Sequence, residues 1–387
     1  MKTPVHIGIE ERSLFRDHNI EVTETAENWD ALAAAYDTPA EEIGLIDFNR
    51  SGVHLPNDEV ATSFRARFKA NLIYPEGSSS WYALPVRREV DTNFNVADGS
   101  LHLGSLMLGT VAELMLDTCE SSYKRGPNLL NLNSRSRSNC GGCRACVHNY
   151  KNLYDETVIH DQKQLITKGD LEEFFDSEQN LELDVANLDQ IAVVTGLFGG
   201  EEAVTNHMKL IDEVVRPRGF TGELMYFGCE VNSPEALDEL ASLGNTSLIY
   251  ALDNFTKRER LLAKTKSLLT IEDSQTTLDL AKERGIATTF AYIAGIDPIQ
   301  DMVDGFKKLK SSLTRFPVVN IYQVQVPAQV KIMDESAKRL EYYVQARVAI
   351  EKILGDTSLR PKRWENYRPL WYRSFDGEPL PDRPYGD

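Results

Sequence analysis

The chain is short of cysteine, of basic charge and of long apolar runs, and each shortage excludes something. Five cysteines in 387 residues, an odd number with three of them clustered, do not make a disulfide framework; the cluster reads as metal or redox chemistry in a reducing compartment. Lysine and arginine total 42 against 59 aspartates and glutamates, a formal charge of -17. A surface built to neutralise nucleic-acid phosphates needs the opposite balance, so no nucleic-acid partner is expected. No apolar run approaches the roughly 20 residues that a membrane-spanning helix requires. The start, MKTPVHIGIEERSLF, lacks the basic flank and apolar core of a secretion signal. A cytoplasmic protein without a membrane partner is the expectation. Internal repeats and low-complexity tracts are also lacking, while 42% apolar and 26% charged residues are ordinary for a globular enzyme.

What is present changes texture along the chain. Residues 1–105 are irregular and turn-rich, as in YPEGSSSWYALP (74–85), and read as an α+β extension. The apolar spacing of LGSLMLGTVAELMLDTCESS predicts a helix over 103–122, broken by Gly126-Pro127. Strand and helix then alternate. LLNLN (129–133), IAVVT (191–195), GELMYFG (222–228), SLIYAL (247–252), IATTFAYI (286–293) and VVNIYQVQV (318–326) have the composition of buried strands. Helical patterns at 201–215, 233–244, 257–269, 274–285 and 297–313 separate the later ones. Ser233-Pro234 and Asp297-Pro298 place a capping side chain before a proline, and Gly244 and Gly285 stand where helices stop. The fold class is therefore α/β: a partial (β/α)6, TIM-like barrel over 106–330, with the α+β extension before it and a helix and strap over 331–387.

In such sheets, sites form at the carboxyl ends of strands, and the unusual residues fall there. SNCGGCRACVHNY sets Cys140, Cys143 and Cys146 two residues apart beyond the first strand. GLFGGEEAV follows the second, where Gly199 and Gly200 permit close backbone approach and Glu201 opens a helix with acceptor oxygens suited to an ammonium group. FGCEVN, ALDNF and YIAGID end the next three strands. Cys229 follows strand three and is a candidate to face the pocket as a hydrogen donor or nucleophile, whereas Cys119 sits in the helical pattern as a small apolar residue.

These motifs, over about residues 125–330, resemble the radical S-adenosylmethionine superfamily. The resemblance implies that Cys140, Cys143 and Cys146 hold a [4Fe-4S] cluster whose fourth iron is left for the amino and carboxylate groups of S-adenosylmethionine. It implies that Gly199, Gly200 and Glu201 receive the methionine ammonium and that Gly295 and Ile296 flank the adenine. Asp253 or Asn254 takes the place of residues that contact the ribose or methionine part. The activity implied is reductive cleavage of S-adenosylmethionine to a 5'-deoxyadenosyl radical that abstracts hydrogen from a small substrate, in a lyase- or mutase-type biosynthetic step. An electron donor such as flavodoxin or ferredoxin comes with it. Two departures are visible. The usual spacing is C-x3-C-x2-C with an aromatic before the last cysteine, and here the spacing is C-x2-C-x2-C with Ala145 in that place. Only one cluster is implied, and the N-terminal region lacks a D-x-H-x-x-G cobalamin stretch.

Two alternatives stay open on the residues alone. C-x2-C-x2-C-x-H offers zinc a closed site of Cys140, Cys143, Cys146 and His148, which would make the chain a non-catalytic scaffold. At the far end, residues 360–375 hold five basic and five aromatic residues. They read as a strap with packed aromatics, or as a closure in which Arg368 or Arg373 meets an anionic substrate. Arg135 and Arg137, near the cysteines, are further candidates for a carboxylate.

Overall fold

The computed structural model describes residues 4–6, 19–21, 29–55, 65–73, 79–87, 92–117, 122–126, 128–134, 142–146, 164–177, 184–194, 197–324, 327–362 and 370–380. The chain divides into two compact units, Met1–Thr118 with Ile293–Asp304 and Val319–Asp387, and Cys119–Tyr292 with Gly305–Val318.

The first unit is α+β. Strands β1 (Pro4–His6) and β2 (Asn19–Glu21) pair antiparallel. A separate five-stranded antiparallel sheet is built from β3 (Arg65–Ile73), β4 (Ser79–Arg87), β5 (Phe94–Ala97), β6 (Ser100–Leu103) and β7 (Leu106–Asp117), in the order β4-β3-β7-β6-β5. The helix expected over 103–122 is thus overturned. Gly104 takes a φ of +57° between β6 and β7, a left-handed turn conformation that glycine enters without cost, and the chain doubles back as a hairpin. Residues 109–117 then pair with β3 along eight residues of that strand, a non-local partnership that apolar spacing within the segment does not reveal. Cys119 lies outside the described residues.

Burial of charge organises the rest of this unit. Helices Trp29–Tyr36, Ala40–Ser51 and Leu340–Leu354 carry the core side chains Trp29, Ile43, Ile46, Phe48, Leu340 and Ile350. Glu42 is fully buried and accepts the backbone N–H groups of Tyr372, Arg373 and Ser374 at 2.8, 2.6 and 2.7 Å. Arg347 faces it at 3.2 Å and also pairs with Glu351 at 3.1 Å. Burial pushes the Glu351 carboxyl up, against the lowering effect of Arg347. The described end of the strap is packed, with Trp371, Tyr372 and Phe375 all buried.

The second unit holds the half-barrel. Its sheet runs β14-β13-β12-β11-β10-β9-β8, where β8 is Tyr123–Gly126, β9 Leu129–Leu132, β10 Gln190–Val194, β11 Glu223–Gly228, β12 Thr246–Asp253, β13 Ala287–Ala294 and β14 Val318–Ile321. Strand β8 pairs antiparallel with β9, and the six strands from β9 onward form a curled parallel sheet. All six follow the stretches that composition singles out, because strands covered on both faces read as unbroken apolar runs. In-register rows place Ala192 beside Met225 and Phe227 beside Ile249. These residues, with Ala291 and Val318, form one face of the core. On the other face Phe255, Phe290, Tyr292 and Phe306 pack with ring centroids 5.0–6.0 Å apart.

Helices Glu201–Val215, Pro234–Ser242, Ile271–Glu283 and Ile299–Leu309 connect successive strands. Ser233 caps its helix by accepting the Ala236 N–H, and Thr270 and Asp273 form a reciprocal capping box. One expected helix splits: 257–269 becomes two turns, Arg258–Leu261 and Lys264–Ser267, parted at Leu262-Ala263.

Candidate functional site

Three loops at the carboxyl ends of β10, β11 and β12, together with the described part of the cysteine loop, carry the chemistry of the second unit. Cys143 and Cys146 are bridged by a turn in which the Cys146 N–H donates to the Cys143 carbonyl at 2.9 Å. Neither is in a disulfide. The turn is held to the split segment after β12: the Arg144 N–H donates to the Leu261 carbonyl at 2.7 Å, and the Ala263 N–H donates to the Cys143 sulfur at 3.2 Å. The break at Leu262-Ala263 is what frees that amide for the thiol. Cys140, His148, Arg135, Arg137 and Arg368 lie outside the described residues. Among the described residues no three histidine, cysteine, aspartate or glutamate side chains gather as a metal site.

The segment after β12 is rigid for an identifiable reason. Arg258 donates to the Leu252, Asn254 and Lys266 carbonyls at 2.7, 2.6 and 3.0 Å, which closes the loop on itself. Asp253, at the strand end, has a φ of +67°, a strained conformation for a side-chain-bearing residue that surrounding contacts must hold. Its carboxylate pairs with the Lys266 ammonium at 2.5 Å, with each side chain 17% exposed. Burial by itself would push the Lys266 ammonium down. Asp253, Cys229 and Cys143, all capable of negative charge, instead push it well up, so it stays cationic beside the cysteine turn. Asn254 is fully buried, with its amide nitrogen donating to the Thr256 carbonyl and its side-chain oxygen left without a partner. A buried unpaired acceptor is costly and points to a ligand hydroxyl or amine.

Cys229 is buried, and burial pushes its thiol up to about 11, with Lys266 pulling the other way and Asp253, Glu230 and Cys143 adding to the rise. It is a protonated thiol at neutral pH, a state suited to donating hydrogen and unsuited to nucleophilic attack.

Two carboxylates cross between the β10 and β11 loops. Gly199 and Gly200, with φ of +100° and +133°, form the turn before helix Glu201–Val215. The N–H groups of Phe198, Gly199 and Gly200 donate to Glu230 at 2.6, 2.9 and 2.8 Å. Glu201 reaches the other way and accepts the Asn232 and Ser233 N–H groups at 3.1 and 3.0 Å. Burial raises the Glu201 carboxyl, but the donors from Ser233 and Asn232 outweigh it and hold the group below its ordinary value.

The remaining sequence candidates belong to the first unit. The Gly295 N–H donates to the Tyr342 hydroxyl and its carbonyl accepts from Asp334, while Ile296 is fully buried. Arg373 holds its place through the backbone bond to Glu42. Sequence reasoning passed over Glu230, Arg258 and Lys266. Glu230 stood in the FGCEVN strand end, a visible signal; the other two lay in a stretch whose periodicity read as an ordinary helix.

Fold and site together define an α/β half-barrel protein with a thiol-bearing turn docked beside the carboxyl edge of its sheet. No protein-family model matches the sequence, and no curated relative matches it. Solved structures to which it is similar include the radical S-adenosylmethionine methyltransferase TsrM from Kitasatospora setae with cobalamin and a [4Fe-4S] cluster bound, at 14% identity over 46% of this chain and 34% of that one, TM-score 0.31. The FeFe-hydrogenase maturase HydG from Carboxydothermus hydrogenoformans aligns at 12% identity over 62% and 55% of the two chains, TM-score 0.40. Streptococcus suis SuiB bound to S-adenosylmethionine aligns at 12% over 61% and 50%, TM-score 0.38. The aligned region spans between about a third and just over half of those chains. At these scores the likeness decides nothing about this chain's chemistry, which rests on its own residues.

Proposed function

We propose that the chain is a radical S-adenosylmethionine enzyme that cleaves S-adenosylmethionine reductively and uses the 5'-deoxyadenosyl radical to take hydrogen from a small anionic metabolite, in a lyase- or mutase-type step. The observation that carries this reading is the Cys143–Cys146 turn, with a backbone N–H on the Cys143 sulfur and a buried lysine cation close by. N–H donors and nearby cations favour thiolates, and hydrogen bonds to sulfur are one of the protein's means of tuning an iron–sulfur centre. The donor set fits such a group.

Cys140, Cys143 and Cys146 would hold the cluster, which when bound supplies the electron that breaks the sulfonium bond. The chain's own part is binding, orientation and exclusion of water. Glu201 and the Gly199-Gly200 turn take the ammonium of the methionine end, and Asn254, with its open acceptor oxygen, takes a ribose hydroxyl. Asp253 pairs with Lys266 and orders the loop between them. Cys229, kept as a thiol, stands ready as a hydrogen donor to a substrate radical. Arg135 and Arg137, in the same unit as the cysteines, are the cations available to the carboxylates of S-adenosylmethionine and substrate. The reductant is an acidic one-electron carrier of the flavodoxin or ferredoxin kind, in the cytoplasm.

Anaerobic reconstitution followed by iron and sulfide analysis tests this. About four irons per chain, lost in Cys143→Ala, are expected, together with 5'-deoxyadenosine on addition of reductant and S-adenosylmethionine. One zinc per chain, with no visible chromophore, would replace the enzyme with the Cys3His scaffold.

A further inference from the structure

The strongest geometry in the second unit that the proposed function leaves unused is the exchange of carboxylates between two neighbouring strand ends. Glu230 sits before the helix that starts at Pro234, yet it receives the amides that precede the helix starting at Glu201. Glu201 sits at the start of its own helix, yet it receives the amides that precede the helix from Pro234. Five backbone N–H groups converge on two carboxylates that are 29 positions apart in sequence, from 201 to 230. A local cap would satisfy amides of its own helix. This arrangement instead ties each loop to the other.

The consequence for Gly199 and Gly200 follows from peptide planarity. In a trans peptide the N–H of one residue and the C=O of the residue before it point in opposite directions. Three amide bonds to Glu230 therefore fix three successive peptide planes and turn the carbonyls of Leu197, Phe198 and Gly199 away from it. Without an anion at that point nothing sets the planes, because the two glycines adopt φ values open to them in many combinations. A Cβ built on either glycine would meet no heavy atom within 4 Å beyond its chain neighbours, so no close packing on that side fixes the turn.

We propose that Glu230 is the positioning residue of the ammonium subsite: its carboxylate, seated in the amides of residues 198–200, sets the carbonyls and the Glu201 side chain that receive the amino group of the ligand. This rests on the reading of residues 199–201 as the methionine end of an S-adenosylmethionine site. Glu230 touches no ligand itself and acts through the loop.

The test compares two ligands on the reconstituted protein by equilibrium binding. S-adenosylmethionine carries the amino acid, and 5'-methylthioadenosine keeps the nucleoside and thioether without it. In Glu230→Gln, affinity for S-adenosylmethionine should fall about tenfold or more, equivalent to roughly 1.4 kcal/mol, while affinity for 5'-methylthioadenosine holds. Glu230→Asp, which keeps the charge on a shorter stem, should recover part of the loss. Equal weakening of both ligands, or no weakening of either, overturns the proposal. Amide hydrogen exchange supplies a second readout that needs no ligand. Glu230→Gln should lower protection at Phe198, Gly199 and Gly200 while leaving the core strand amides of β11 and β12 unchanged, and undiminished protection at those three amides also overturns it. Should the wild-type protein bind neither ligand, the functional reading falls, and the exchange result alone decides the role of Glu230 in the loop.

Discussion

Glu201 is placed so that one carboxylate serves the fold and, on the proposed function, a ligand as well. Its bonds to the Asn232 and Ser233 amides stabilise the ionised form, so its folded pKa lies below the ordinary value of 4.5. A depressed carboxylate contributes stability above its unfolded pKa and loses that contribution as pH falls through the folded one. Glu201→Gln keeps an acceptor oxygen and removes the charge. We expect the variant to be less stable to urea than the wild type at pH 7, by about 1.5–3 kcal/mol for hydrogen bonds to a charged group, and the gap to close as the pH falls below 4.5. The same variant should bind S-adenosylmethionine less tightly while keeping its iron. A gap that persists unchanged into acid would mean that the charge of Glu201 contributes nothing to the fold. Unchanged ligand affinity would remove it from the subsite.

At the scale of elements, the turn before helix Glu201–Val215 concentrates the demand on backbone conformation. Gly200 has a φ of +133° with open space around it, so Gly200→Ala would meet no clash, and its whole cost is backbone strain. A cost of about 1–3 kcal/mol is expected, read as a lower denaturation midpoint, and on the proposed function S-adenosylmethionine affinity should fall alongside it. The six parallel strands were legible because burial on both faces leaves an unbroken apolar composition, and the Ser233-Pro234 start was legible because capping is local chemistry. The hairpin of β6 and β7 was not: apolar residues in LMLGTVAELMLD also match a helical period, and its fate was settled by pairing with β3, more than thirty residues earlier. The split of 257–269 was hidden for a related reason. At the break between the two turns the Ala263 amide goes to the Cys143 sulfur, a contact across 120 positions of sequence that periodicity within the segment cannot show. Glycines and acids at strand ends marked candidate residues; which acid pairs with which loop was decided by three-dimensional proximity alone.

For the whole molecule, the formal charge of -17 makes the placement of exposed cations informative. Several in the second unit are paired: Lys168 with Glu213, Lys209 with Glu239, Arg216 with Asp212, Arg218 with Asp176, Arg284 with Asp238, Lys308 with Glu272 and Arg315 with Glu223. Lys257, Arg260 and Lys264 are exposed and have no ion-pair partner among the described residues. They flank Leu261 and Ala263, the residues bonded to the cysteine turn, so on the proposed function this is the face at which a reductant would dock. A chain of this net charge repels acidic carriers at long range, and a cationic patch restores attraction at one place. Reversing all three charges, Lys257→Glu with Arg260→Glu and Lys264→Glu, should slow reduction of the reconstituted centre by a reduced acidic flavodoxin about tenfold or more at low salt. Because steering of this kind is screened over a Debye length of about 8–10 Å near physiological ionic strength, the wild-type rate should fall steeply with added salt and the variant's rate should not. Dithionite, a small reductant that needs no docking face, should reduce both proteins alike, and iron content should match. A variant reduced by the flavodoxin as fast as the wild type, with the same salt dependence, would place the entry point of the electron on some other face.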